Sequence, residues 1–369
     1  MVVVSHIRPL LFVEYRDAEN KNGFIQLFYF LTGFGHEAVM VFFVISGLLV
    51  GGVSARKFQE GRFAGRTYIV HRFARIYLVF IPALLAGYLL DLFGAAYLDA
   101  SGVYSETMQY RFSGNAIDRM SPLIALGNVL MLQEIVVPPL GSNNPLWSLS
   151  YEWWYYVLFF FGLQLLASYG CWRRALLYGL LLIASLYFLP WHILLWFLIW
   201  LAGTAVVLSE RLSWKLPPSV AYILFIAALV WSRLDNIWTE NYTVSGNFIR
   251  DATVAAACFI LFMSLNRHGA ALSLRSRFHA VMAEFSYSTY LVHVPFLLFI
   301  VATLNVAFGI PLLQQPSGSG LVYFVCLLFL IHFYSYGFYL LTERHTAGFR
   351  RYLSRRLDAG RKARLPEAA

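Results

Sequence analysis

Long apolar runs alternate with short polar connections along most of the chain. A helix that crosses a bilayer needs about 20 mostly apolar residues, and runs of roughly that length recur almost to the end of the sequence. The predicted spans are 35–54, 74–94, 146–167, 175–190, 192–209, 219–233, 249–265, 284–304 and 320–342. The pattern predicts an all-α fold, a polytopic membrane helix bundle.

The beginning of the chain predicts one further helix. Residues 1–12 are apolar and lead into the polar sequence EYRDAENKNG, but a segment this short does not cross a bilayer. Either the gene product begins upstream of Met1 or this segment only dips into the membrane. We expect the former, a first helix truncated at Met1, which gives about ten transmembrane helices. The division expected is a membrane-embedded domain over 1–345 and a basic cytoplasmic tail over 346–369.

The composition excludes several classes of protein. The 369 residues are 59% hydrophobic and 13% charged, against roughly 45–50% and about 25% in soluble domains. Because this is too little charge to cover a soluble globule, a cytosolic enzyme, a disordered chain and a disulfide-stapled secreted domain are excluded. The three cysteines are scattered and show neither a disulfide framework nor a metal-ligand spacing.

The net charge of +9 indicates topology rather than a nucleic-acid partner, since the basic residues lie mainly in connections between apolar runs. Lys and Arg accumulate on the cytoplasmic side of membrane proteins. The basic 55–75 connection and the C-terminus are therefore predicted to be cytoplasmic. The segments 13–34, 95–145 and 234–247 are predicted to lie outside, so the expected partner is the lipid bilayer and not a nucleic acid.

Three ionisable residues near the start of the chain are candidates for chemistry, because charged groups inside a bilayer are costly. His6 lies in the first apolar run, and His36 and Glu37 open the next one in GFGHEAVMVFF. A histidine near a carboxylate is the minimal general-base arrangement. The alternative for His36 and Glu37 is an interfacial helix start, where the dipole favours an acid. HEAVM lacks the second histidine of the zinc motif HExxH, so no metal site is predicted.

Two further clusters carry candidate residues. Arg72 and Arg75 are three residues apart, so on a helix they share a face and could clamp the phosphates of a nucleotide cofactor; the alternative is a positive-inside anchor. Glu152 lies in PLWSLSYEWWYYVLFF near the outer end of a span, where aromatic rings are typical of a membrane interface but a carboxylate is not. His293 lies two residues before Pro295 inside a later span.

Two other features are predicted to be structural. Gly47 and Gly51 form a G-x-x-x-G pattern, which is typical of a helix-packing face. Arg250 and Asp251, at the outer end of a span, can pair with each other.

These clusters, in this order, resemble the acyltransferase 3 family of membrane O-acyltransferases. The resemblance rests on VVVSHIRP, VFFVISGLL, HRFARIYLVFIPALL, NPLWSLSYEWWYYVLFF, FSYSTYLVHVPF and FYLLTERH, and it covers nearly the whole chain. It implies a ten-helix bundle in the bacterial inner (cytoplasmic) membrane with both termini in the cytoplasm. It also implies a cytoplasmic acyl-CoA donor and a sugar hydroxyl acceptor, as in members that acylate exopolysaccharides, O-antigens or nodulation factors.

The resemblance further implies which residues act. Counterparts of the family's functional residues are its first-helix histidine (His6), its two acids (Glu37 and Glu152) and its paired arginines (Arg72 and Arg75). The chain departs from the family in two places. The arginine that usually precedes the histidine by about three helical turns would lie before Met1, and Trp153 stands where a second glutamate is often found.

We therefore expect an integral membrane O-acetyltransferase that uses acetyl-CoA or another acyl-CoA as donor substrate, with no permanently bound cofactor, and esterifies a polysaccharide or lipid-linked glycan. Ser46, Ser148 and Ser150 are possible acyl carriers. One alternative is a transporter or flippase of a glycan or lipid precursor, which predicts paired repeats with broken helices that the sequence does not show. Another is a membrane-bound O-acyltransferase of the unrelated His/Asn type, against which the order of the motifs argues.

Overall fold

The computed structural model describes residues 1–105, 115–209, 216–238, 244–267 and 277–362. The fold is 81% helical, with no β-strand in the described ranges, which confirms the predicted all-α class. The α-helices, in chain order, are α1 (Val2–Leu11), α2 (Gly23–Leu31), α3 (Gly35–Ser46), α4 (Val53–Gln59), α5 (Gly65–Tyr97), α6 (Pro122–Val129), α7 (Leu146–Ala167), α8 (Trp172–Phe188), α9 (Trp191–Leu208), α10 (Pro218–Trp238), α11 (Val244–Arg267), α12 (Arg277–Glu284), α13 (Ser286–Phe308), α14 (Gly318–Leu341) and α15 (Thr346–Lys362).

A helix occupies each of the nine predicted spans. By length and composition, six helical stretches in the described part of the chain are able to cross a membrane, so the count of about ten is not confirmed. These stretches are Gly23–Gln59, Gly65–Tyr97, Trp191–Leu208, Gly246–Asn266, Ser286–Phe308 and Gly318–Leu357. The first helix, α1, is apolar but short, as the sequence predicts.

Two of the short helices, α2 and α6, lie in connections that the sequence predicts to be outside the membrane. Helix α2 lies within 13–34, and its N-terminus is capped by Asn22, whose side chain accepts a hydrogen bond from the Ile25 N–H. Helix α6 lies within 95–145 and is capped in the same way by Ser121. Both are under ten residues long, so neither produces the long apolar run that identifies a span.

The chain divides into two compact units, each built from helices that are distant in sequence. The first unit contains Met1–Phe63, Ser148–His279 and Leu313–Gly320, and the second contains Ala64–Trp147, Ala280–Leu312 and Leu321–Ala369. His6, Glu37 and Glu152 therefore belong to the first unit, and Arg72 and Arg75 belong to the second.

In the first unit, α3 continues through a π-helical turn, Gly47–Gly52, and this stretch packs against α9. A Cβ atom on Gly47 would lie 1.8 Å from the carbonyl oxygen of Trp200, and one on Gly51 would lie 1.9 Å from Oγ1 of Thr204. Neither position has room for a side chain. The structure thus confirms that the G-x-x-x-G pattern is a helix-packing face.

In the second unit, side chains hold the backbone of residues 142–146, the segment that leads into α7. The Asp91 carboxylate accepts hydrogen bonds from the N–H and the hydroxyl of Ser142, at 2.8 and 2.7 Å. Asn143 donates to the Leu291 carbonyl at 2.8 Å, and Tyr290 donates to the Pro145 carbonyl at 2.7 Å. These bonds tie the segment to α5 and α13 and fix where α7 begins.

The basic segment after residue 345 is helical over much of its length. Helix α15 follows a short 3₁₀ turn, Glu343–His345, and packs against α5. Residues 363–369 of the predicted tail lie outside the described residues.

Candidate functional site

Glu37 is a buried carboxylate in the first turn of α3. Only 2% of the residue is exposed. Its Oε1 accepts a hydrogen bond from the Ser232 hydroxyl at 3.1 Å, and its Oε2 is buried with no hydrogen-bond partner among the described residues. The helix dipole favours an acid at this position, but an unsatisfied buried carboxylate oxygen is costly. Glu37 therefore retains an acceptor for a group that the described residues do not supply.

His6 lies half-buried on α1, which packs against α3. The contact is close at the neighbouring residue, because a Cβ atom on Gly35 would lie 2.0 Å from Oγ of Ser5. The turn of α1 that carries His6 is thus next to the turn of α3 that carries Glu37. The pairing of the two side chains stays a prediction.

His36 contacts a carboxylate for which the sequence predicts a different partner, the adjacent Arg250. Its ring Nε2 lies 2.9 Å from both carboxylate oxygens of Asp251 on α11. The same carboxylate accepts a hydrogen bond from Nε1 of Trp196 at 2.8 Å, while Arg250 donates to Asn247 at 2.8 Å. The position of Asp251 near the start of an apolar span indicates that this acid needs a partner. The sequence does not show which distant histidine contacts it.

Glu152 is the centre of a buried polar cluster at the end of α3. Its Oε1 accepts hydrogen bonds from the Ser46 hydroxyl, at 2.5 Å, and from the Tyr156 hydroxyl. Trp200 donates its Nε1–H to Oγ of Ser46 at 3.1 Å. Of the three serines considered as acyl carriers, Ser46 therefore has a carboxylate beside it. All three are buried, and Ser148 and Ser150 lie in the first turns of α7.

Arg75 is held by a carboxylate near the C-terminal end of the chain. Its Nη1 donates to Oε1 of Glu343 at 2.6 Å, and its guanidinium lies over the ring of Tyr287, 5.1 Å from the centroid. Glu343 is buried, and its Oε2 accepts from the N–H of Ser288 at 3.0 Å and from the Ser288 hydroxyl at 2.8 Å. Arg72 lies half-buried one turn earlier on α5. The pattern FYLLTERH contains Glu343, but only the fold shows its role.

His293 is fully buried in α13. Its Nδ1 lies 2.8 Å from the carbonyl oxygen of Tyr290 and 3.1 Å from that of Thr289. Carbonyl oxygens only accept hydrogen bonds, so Nδ1 carries a proton. Both contacts lie within its own helix, which ties the ring to the backbone of α13. Among the described residues, no three His, Cys, Asp or Glu side chains come together in an arrangement that could hold a metal ion.

Comparison with known proteins gives one match. No curated protein and no solved structure matches the chain. In contrast, the family of acyltransferase domains matches residues 1–341, nearly the whole described chain. This agrees with the resemblance carried by the six sequence patterns and with the all-α fold. The chain therefore belongs to the acyltransferase 3 family and is a membrane acyltransferase.

Proposed function

We propose that the protein is an O-acyltransferase of the bacterial inner membrane that moves an acyl group, in the first instance acetyl, from cytoplasmic acyl-CoA to a sugar hydroxyl. The acceptor is an exported or cell-surface polysaccharide or its lipid-linked precursor. The observation that carries the proposal is the buried Glu37 carboxylate, which has one oxygen without a partner among the described residues. It lies in the turn that packs beside the turn of His6, in a chain of the acyltransferase family.

The reaction makes modest demands on the protein. The acceptor oxygen attacks the carbonyl carbon of the thioester, the bond from carbon to sulfur breaks, and the hydroxyl proton is taken up by a base. A positioned base is worth typically 10²–10⁴-fold in rate. His6 takes that proton or helps to pass the acyl group across the membrane, and Glu37 orients the imidazole and stabilises its charged form.

Donor binding is assigned to the arginines of α5. Arg72 and Arg75 lie one turn apart, and 45% of the Arg75 side chain is exposed although it pairs with Glu343. A guanidinium offers five N–H donors in a planar fork, so Arg75 is able to bind a carboxylate and a phosphate together. The buried Glu343 would then keep the guanidinium oriented, and the diphosphate of CoA would bind to the two arginines.

Glu152 has a supporting role in this scheme. Its carboxylate holds Ser46 and Tyr156 where α3 passes into the π-helical turn. π-Helical turns occur frequently at functional sites, and this one begins within the pattern VFFVISGLL, on which the resemblance partly rests. We assign Glu152 to the catalytic unit, together with Ser46 and Tyr156, which donate to its carboxylate.

The test is chemical. The gene is deleted in the host, and ester-linked acetate on the surface and secreted glycans is measured by NMR and by release in mild base. The wild-type gene should restore the acetate, and Glu37→Gln, which keeps the shape but removes the charge, should not. His332→Gln on α14 is a matched control, because that half-buried ring donates to a backbone carbonyl of its own helix, at 2.7 Å from the Leu328 oxygen. A deletion strain with unchanged glycan acetate would contradict the proposal.

A further inference from the structure

A histidine–carboxylate pair lies at the start of α3 and is not used by the proposed function. Nε2 of His36 lies 2.9 Å from both oxygens of Asp251, and Trp196 donates to the same carboxylate. The Asp251 side chain is fully buried, whereas 41% of the His36 side chain is exposed. One member of the pair is thus fixed inside the protein, and the other reaches its surface.

The buried carboxylate of Asp251 stabilises the protonated form of His36. Removing a carboxylate from water costs several kcal/mol, which its partners must offset. The donors that face Asp251 are an indole N–H and an imidazole, and of these only the imidazole can become positively charged. The ion pair is therefore complete when His36 has taken up a proton, which is the state that a general base reaches during the reaction.

The geometry also fixes which ring nitrogen acts as the base. Because Asp251 accepts at Nε2, the neutral ring of His36 carries its proton on Nε2, and Nδ1 holds the lone pair. The bond from Trp196 holds the Asp251 carboxylate, and the contact of Nε2 with both carboxylate oxygens orients the imidazole. This is the division of labour of a catalytic triad, with a carboxylate that orients and a ring nitrogen that takes the proton.

The pair lies at one end of the first unit. His36 is near the beginning of α3, Trp196 near the beginning of α9 and Asp251 near the beginning of α11, so these three helices begin at the same end. The predicted topology puts the connections before all three outside the membrane. The acceptor glycan is expected on that side, and the donor on the other.

We propose that His36, oriented by Asp251, removes the proton from the acceptor hydroxyl. This rests on the proposed function and decides between the two roles left open for His6, which then helps to pass the acyl group, still bonded to the CoA sulfur, toward the acceptor. The acceptor O–H bond breaks as the oxygen forms an ester bond to the acyl carbon. The bond from that carbon to the CoA sulfur breaks, and the proton on His36 balances the proton that the released thiolate takes up.

The first test measures the contribution of His36 by kinetics. The full chain in lipid nanodiscs receives radiolabelled acetyl-CoA and the host polysaccharide purified from the deletion strain. His36→Gln should lower kcat for transfer to the polysaccharide by about 100-fold or more, and the KM for acetyl-CoA should stay within about twofold. The partly exposed side chain makes this variant compatible with folding, which size-exclusion chromatography checks.

The second test asks whether Asp251 acts through His36. Asp251→Asn keeps an acceptor and adds a donor, so the carboxylate charge is lost but the shape is kept. It should lower kcat by about tenfold or more, and the double variant His36→Gln/Asp251→Asn should be no slower than His36→Gln alone, since residues that act as a unit are not additive.

Three results would overturn the assignment. His36→Gln could transfer within about fivefold of wild type, it could lose affinity for acetyl-CoA as much as it loses kcat, or the two substitutions could multiply in the double variant as independent structural defects do. Any of these leaves the proposed function intact as long as wild type transfers acetate. A wild-type protein that transfers no acetate to the polysaccharide contradicts the proposed function itself.

Discussion

Replacing Arg75 with alanine is expected to lower the free energy of unfolding, in addition to the affinity for the donor. Arg75→Ala leaves Glu343 buried, with 2% of its side chain exposed, and without its cation. Removing one partner of a fully buried ion pair costs about 3–5 kcal/mol. Arg75 is itself 45% exposed, and Ser288 still donates twice to Glu343. We therefore expect a smaller loss, about 1–3 kcal/mol in the free energy of unfolding.

Two companion variants separate the structural and the donor-binding contributions of Arg75. Arg75→Lys keeps a cation that can reach Glu343, so the free energy of unfolding should stay within about 1 kcal/mol of wild type, while the KM for acetyl-CoA rises because the planar fork is lost. Arg75→Ala/Glu343→Gln removes both charges and keeps an acceptor for Ser288, so it should recover most of the stability lost in Arg75→Ala. Donor affinity should remain low in that double variant.

The assay is reversible unfolding in mixed detergent micelles, followed by tryptophan fluorescence, with the KM for acetyl-CoA measured on the same preparations. Arg344→Ala is the matched control, because Arg344 is exposed and directly follows Glu343 in the chain. Equal free energies of unfolding for Arg75→Ala and Arg344→Ala would contradict a stabilising pair between Arg75 and Glu343. So would a double variant Arg75→Ala/Glu343→Gln that is no more stable than Arg75→Ala.

Three further outcomes are expected. A reporter fused after Glu367 should be active in the cytoplasm and one inserted near Asn241 should report the outside, both positions lying beyond the described residues; an external C-terminus would contradict the topology. His6→Gln should accumulate normally but lose transfer, because His6 helps to pass the acyl group in this scheme, and near-normal acetylation by that variant would remove His6 from the site. Gly47→Ala should fail to accumulate because its Cβ would meet a carbonyl oxygen at 1.8 Å, whereas Gly162→Ala, with nothing within 4 Å, should be neutral; equal yields would contradict the packing assignment.

The positions of the long helices could be predicted from the sequence because a bilayer imposes a minimum apolar length. The short helices α2 and α6 could not, since their signal is a single capping side chain, Asn22 or Ser121, in a segment that otherwise resembles a connection. Their existence depends on local hydrogen bonds and on packing rather than on hydropathy.

The candidate residues could be named from the sequence, but most of their partners could not. His36 is 215 residues from Asp251, and Arg75 is 268 residues from Glu343. Packing decides which helices are neighbours. For example, α9 approaches the face of α3 that carries Gly47 because this residue has no side chain, and a single sequence does not show which helix fills that space. The sequence therefore predicts a pair between Asp251 and the adjacent Arg250, the nearest opposite charge along the chain.

Contacts within the first unit require that the number of membrane crossings between the contacting segments is even. His36 at the start of α3 meets Asp251 at the start of α11, and the backbone after α1 meets Gln314, where the Val13 N–H donates to its carbonyl at 3.2 Å. Chain segments that meet at one face are separated by an even number of crossings. Six predicted spans separate the first pair and eight the second, so both contacts agree with the predicted spans.

This condition applies to α7, α8 and α10. These helices occupy predicted spans but are not among the six stretches that are long and apolar enough to cross a membrane. If one of the three lay along the surface while the other two crossed, the count between His36 and Asp251 would become odd, and their 2.9 Å contact would require opposite faces to meet. The three must therefore cross together, or two of them must stay at the surface together. Cysteine labelling from the outside at Pro190, between α8 and α9, and near Asn241 tests this. Labelling at both sites means that α10 crosses and that α7 and α8 either both cross or both stay at the surface. Labelling near Asn241 alone means that α10 and one of α7 and α8 stay at the surface, and no labelling near Asn241 contradicts the parity.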